Sequence, residues 1–119
     1  MGFRVAEGYS ELGMWPEALE QLGDLAAELR ALPPVLRLEI RCCVALEAWD
    51  QGRLAARQLR CLGIIDMMMA AGFYATLGRD LLKRGQPDEA KEVLCQAIET
   101  WPSCKDVVLR DPSLVAAML

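Results

Sequence analysis

No histidine occurs in these 119 residues, and aromatic residues make up only 6% of them. Without an imidazole the chain lacks the commonest general base near neutral pH and the commonest metal ligand. No glycine-rich phosphate loop is present, and no serine or cysteine has an evident base beside it, so the chain is expected not to be an enzyme. No metal or cofactor is expected either: zinc at Cys42-Cys43 would need two more ligands nearby, and no histidine exists to help. Cys42 and Cys43 are adjacent, which on a helix turns their side chains about 100° apart rather than onto one ion. The five cysteines, Cys42, Cys43, Cys61, Cys95 and Cys104, are odd in number and scattered. Reduced thiols in a cytoplasmic protein are the simplest account of them.

Positive charge is also short: 13 Lys and Arg against 17 Asp and Glu leave a net charge of -4. A general nucleic-acid binder would carry a basic excess, so that class is set aside. No apolar run reaches membrane-spanning length, the longest candidate, Gly63 to Tyr74, being interrupted by Asp66. Arg4, Glu7 and Glu11 break up the first dozen residues, so no signal-peptide layout is read there. Met1-Gly2 opens like a myristoylation site, but Ala6 stands where Ser or Thr is wanted.

What the chain does have is alanine, leucine, glutamate and arginine, a composition that favours helix. Hydrophobic residues form 54% and charged residues 25%, enough for one domain with a core over residues 1–119. The clearest stretch runs from Tyr74 to Pro102. Tyr74, Leu77, Gly78 and Leu81 recur at helical spacing, Lys83 and Arg84 load the last turn, and Gly85 supplies a left-handed stop. Pro87 suits a first helical position, with Asp88 and Glu89 at the positive end of the dipole. Ala90, Val93, Leu94, Ala97, Ile98 and Trp101 continue the pattern until Pro102 closes it. The spacing predicts a helix–turn–helix hairpin whose close crossing uses the small residues Gly78 and Ala90.

The same punctuation recurs. A first helix over residues 3–12 carries Phe3, Ala6, Tyr9 and Leu12 on one side and stops at Gly13. Pro16 and Glu17 start a second helix with the stripe Ala18, Leu22, Leu25, Leu29 and Leu32, ended by Pro33-Pro34. Gly13 to Ala18 is the same five-residue step as Gly85 to Ala90, 72 residues on, an interval that holds two units of 36. Between them Val35 to Ala48 is apolar on more than one side, as a helix between two neighbours should be. Trp49 lies 34 residues after Trp15, which places Gly52 opposite Ala18 and Ala90. Residues 63–72 either extend the third unit's first helix or form a separate turn. After Pro102, Ser103 with Asp106 offers a capping pair for a short helix, and Asp111-Pro112 starts a last one carrying Leu114, Val115, Met118 and Leu119.

The pairing of Leu77-Gly78, Gly85, Ala90, Ala97 and Pro102 resembles the tetratricopeptide repeat. The likeness covers roughly residues 3–102, with units at about 3–32, 35–63 and 71–102. The middle unit departs from the pattern, having neither a Leu-Gly pair nor a closing proline. The resemblance implies an all-α right-handed superhelix of about three hairpins, here with 103–119 as a C-terminal capping helix. It implies a noncatalytic scaffold for protein–protein interaction, with the first helix of each unit lining a concave peptide groove. On that side stand Ala75, Thr76, Arg79 and Lys83 in the last unit, Arg37 and Arg41 in the middle one, and Arg4, Glu7 and Glu11 in the first. Arginine suits bidentate capture of carboxylates, so an acidic or C-terminal peptide is the expected partner. Ordinary solvated helix charges are the alternative reading of the same residues. Family members that bind chaperone tails use asparagines in the groove, and this chain has none.

Met67, Met68 and Met69, beside Ile64 and Ile65, form an apolar knot, to which Met118 and Leu119 add. It reads either as core filler or as an interface for a partner or a second copy. Trp15, Trp49 and Trp101 fall at helix starts and ends, where packing at turns accounts for them. An assembly or secretion-type chaperone holding an amphipathic client segment is the rival function, and an unrecognised enzyme or metal-binding protein the second rival.

Overall fold

The computed structural model describes residues 2–112, 114 and 115. Among them every regular element is a helix and no strand occurs. The chain forms two compact units, Met1–Leu59 and Arg60–Leu119. The first contains α1 (Gly2–Glu11), α2 (Trp15–Gly23), α3 (Ala27–Arg30), α4 (Pro33–Leu46) and α5 (Trp49–Leu59). The second contains α6 (Ile64–Lys83), α7 (Pro87–Thr100) and α8 (Cys104–Leu109).

Three hairpins, α1–α2, α4–α5 and α6–α7, share one hydrogen-bonded turn. A residue with positive φ ends each first helix: Gly13 (74°), Glu47 (56°) and Gly85 (75°). The next N–H then donates to the carbonyl five residues back, Met14 to Tyr9 at 2.8 Å, Ala48 to Cys43 at 2.8 Å and Gln86 to Leu81 at 2.9 Å. This is the left-handed closure that satisfies the orphan carbonyls of a helix end. Five residues after the left-handed position come Ala18, Gly52 and Ala90, all buried, each donating its N–H to a carbonyl four back at 3.0 Å. Thus Gly52 does stand opposite Ala18 and Ala90. The three turns fall at 13, 47 and 85, so the intervals are 34 and 38 residues.

Glycine enters the left-handed region without a Cβ clash, whereas an L-residue there costs roughly 1–2 kcal/mol. The middle turn alone carries that cost, at Glu47. Glu47→Gly is therefore expected to raise the melting temperature by about 4 °C, and Gly85→Ala to lower it by a similar amount, both read by thermal denaturation. A Glu47→Gly variant no more stable than the parent would mean that the turn is not closed in this way.

In the first unit Ala6, Ala18, Leu22, Val35, Leu38 and Cys42 form the core, with Phe3, Tyr9, Trp15, Leu19 and Leu25 packed around it. Leu12, expected on the buried side of α1, is exposed because the helix has already ended at Glu11. The continuous helix expected from Pro16 to Leu32 breaks after Gly23. Asp24 and Leu25 bond only three residues back, to Gln21 and Leu22, and Ala26 turns extended (φ -59°, ψ 149°) before one turn of α3. The break rotates Leu25 inward: a Cβ on Gly2 would stand 2.9 Å from Leu25 Cδ2. Leu29 and Leu32 lose the stripe and are exposed. Leu32 is extended ahead of Pro33, as the residue before proline must be, and the two prolines occupy the first turn of α4.

In the second unit α6 runs unbroken from Ile64, so residues 64–72 extend the first helix of that hairpin. The close crossing of α6 and α7 at Gly78 is made against Leu94, and Ala90 is also fully buried on α7. A Cβ at Gly78 would lie 2.7 Å from Leu94 Cδ2 and 2.9 Å from Cγ. Ser103 makes no side-chain cap to α8, since its own backbone is already helical. Beyond α8, Pro112 is helical and Val115 N–H bonds the Asp111 carbonyl at 3.0 Å, so the chain restarts where Asp111-Pro112 predicts. Met118 and Leu119 lie outside the described residues.

Candidate functional site

Arg79 and Lys83 are four residues apart on α6 and therefore share a face. With Leu82 and Asp111 they line, among the described residues, a cavity of about 470 Å³ in the second unit. Asp111 reaches it because α8 packs on both α6 and α7 and returns the chain along the hairpin. Arg79 Nε donates to Asp111 Oδ2 at 3.1 Å, with both side chains partly exposed. Among the described residues the cavity lining carries two cations and one carboxylate. Asp80, the next acid on α6, is held by Arg84 at 2.6 Å. Lys83 is exposed.

Two other residues expected on this side do not contribute. Ala75 is buried, and Thr76 turns its hydroxyl back to the Gly72 carbonyl at 2.9 Å. In the first unit Arg37 and Arg41 are likewise four apart, on α4, with Arg37 half-buried and Arg41 exposed. Arg4, Glu7 and Glu11 are exposed on α1. Asp111 was legible only as a helix cap. Its contact with Arg79 spans 32 residues, a separation at which no local sequence signal exists.

The methionines divide. Met67 and Met69 are half-buried, while Met68 is exposed. The larger apolar exposure lies just before them, at Ile64 (73%) and Ile65 (76%), with Leu62 alongside. The cause is a length mismatch: α6 has 20 residues and α7 only 14, so the first turns of α6 outrun the partner helix.

All five cysteines are thiols. Cys42 and Cys43 are fully buried on α4. Burial pushes Cys43 up to about 12, with the Glu39 carboxylate and Cys42 adding to the rise. Cys42 is raised chiefly by burial too, against the lowering influence of Arg41. Beside the candidate cavity, burial raises Cys104 while the Arg79 guanidinium partly opposes it. Raised thiols are poor nucleophiles at neutral pH. Among the described residues no three Cys, Asp or Glu side chains converge as a metal site would require. No described helix is long and apolar enough to cross a membrane.

No family model matches this chain, and neither curated proteins nor solved structures provide a match.

Proposed function

We propose that this chain is a noncatalytic binding scaffold of tetratricopeptide type, which captures a carboxylate-bearing peptide or protein segment at Arg79 and Lys83. The observation that carries the reading is the Arg79–Asp111 contact. One carboxylate of the chain already rests on the guanidinium at 3.1 Å, beside a cavity large enough for further side chains. A half-exposed pair of this kind contributes about 1 kcal/mol or less, so an incoming carboxylate can replace it at small cost. The repeated turn at Gly13, Glu47 and Gly85 supports the repeat reading, and with it the superhelical stacking of hairpins that the resemblance implies. Arg37 and Arg41 are assigned the same role on their own unit. A reducing, cytoplasmic setting belongs to the proposal, since the cysteines are thiols.

The test is fluorescence anisotropy with a labelled peptide of alternating glutamate and leucine, and with its glutamine counterpart. The glutamate peptide should bind more tightly, and the joint change Arg79→Ala, Lys83→Ala should weaken it by about tenfold or more, as loss of charge-assisted bonds does. Added salt should weaken it as well. Equal binding by parent and double variant would remove the assignment.

A second reading has its own observation. The exposed start of α6, with Ile64 and Ile65, suits an amphipathic client segment or a second copy of the chain. Preference for the glutamine peptide, together with loss of binding in Ile64→Ser, Ile65→Ser, would favour that alternative.

A further inference from the structure

The break between α2 and α3 builds something that an unbroken helix would not. α3 and Leu25, two residues before it, stand off from α4 and α5 and wall a cavity of about 450 Å³ within the first unit. At this cavity lies Glu39 of α4, its side chain only 10% exposed. A carboxylate so buried needs strong partners, because removing it from water is expensive. Among the described residues its partner is Arg30 of α3, at 3.5 Å, the outer edge of hydrogen-bond range. A carboxylate offers about four acceptor sites, and the contact with Arg30 engages one oxygen, Oε1. Around it the walls are aliphatic, Leu25, Leu36 and Leu54, with the amides of Gln51 and Gln58 nearby.

We propose that this cavity is a binding site for an organic cation, a primary ammonium on an aliphatic stem, of the kind a lysine side chain presents. The stem packs on the three leucines and the ammonium donates to Glu39. Arg30 is 43% exposed and weakly held, so it gives ground to the incoming charge by leaning into water. The site is separate from Arg79 and Lys83 and does not rest on their assignment.

The probe is n-butylammonium, titrated into the full chain by NMR, with n-butyrate as its opposite-charge counterpart. Butylammonium should bind in the millimolar range, a modest affinity for ~5 non-hydrogen atoms, and should shift the amides of Glu39, Gln51 and Leu54. Butyrate should not. Glu39→Gln should weaken binding about tenfold or more, the scale of a hydrogen bond to a charged group. Ala31→Leu, which leaves the carboxylate in place but adds bulk to the cavity wall just after α3, should weaken it as well. Butyrate binding as well as butylammonium overturns the proposal, as does unchanged affinity in Glu39→Gln. If Glu39→Gln fails to fold, unchanged affinity in Ala31→Leu overturns it instead. Tetrapeptides carrying lysine or norleucine then separate the two sources of such a cation. Tighter binding of the lysine peptide than of butylammonium marks a protein partner, and equal binding marks a free amine.

Discussion

Leu94→Ala should destabilise the second unit by about 2–5 kcal/mol in urea denaturation, the range for emptying a fully buried leucine site. Leu94 is completely inaccessible and fills the space left by the absent side chain of Gly78. Domains of this size are stable by roughly 5–15 kcal/mol, so the loss is a large share of the total. Gly78→Ala alone sets two effects against each other. Overpacking costs roughly 1–3 kcal/mol, whereas replacing a mid-helix glycine returns up to ~1 kcal/mol. The packing cost wins because Leu94 is enclosed and has no exposed direction in which to swing. Combining the two changes should cost less than their sum, since the new methyl enters the vacated space. Additivity within about 0.5 kcal/mol would mean that the two positions do not touch in solution.

Raising the pH should destabilise the first unit through its paired thiols. Cys43 is held up to about 12 against an ordinary value of 9.0, and Cys42 moves in the same direction. The unfolded chain therefore gives up these protons first. The contribution of Cys43 is complete below pH 9 and falls between pH 9 and about 12, by roughly 1.4 kcal/mol per pH unit, with Cys42 acting in the same direction. Denaturation measured from pH 8 to 11 should show this slope, and the joint variant Cys42→Ala, Cys43→Ala should show a flatter one from a lower start. Parallel slopes in parent and variant would contradict the burial of these thiols. At neutral pH both should resist alkylation for the same reason.

The two tests probe parts of the molecule that differ in how locally they are determined. The turns were legible because their causes are local. A glycine that must go left-handed, a proline that tolerates a missing N–H and a small residue five positions on all act within one turn of chain. The third hairpin and the Gly13 turn followed from those residues alone. At Glu47 the glycine signal is missing, yet the same closure forms, so the middle unit could be placed only through Trp15 and Trp49. The stripe fails at Leu29 and Leu32, because a helical period persists in sequence even where the backbone does not follow it. Leu25 lies against Gly2 at the start of α1, a contact that no local signal announces. The methionine segment, as a short apolar run, suits a helix and a buried turn equally well, and only the continuity of α6 decides between them.

The candidate sites follow the same division. Arg79 and Lys83 could be paired from their spacing, as could Arg37 and Arg41, since four residues on a helix fix a shared face whatever surrounds it. That Asp111 lies on Arg79, and that Glu39 is buried beside a cavity, depends on segments brought together from far apart in the chain.

By itself, then, the sequence determined the helical class, the places where the chain reverses, and the absence of imidazole chemistry, because each depends on residue identity and short-range geometry. Only tertiary packing decided which leucines are covered, where α2 breaks, and which carboxylates meet arginines. Those outcomes turn on competition for a limited interior, and no single stretch of the chain contains both sides of that contest.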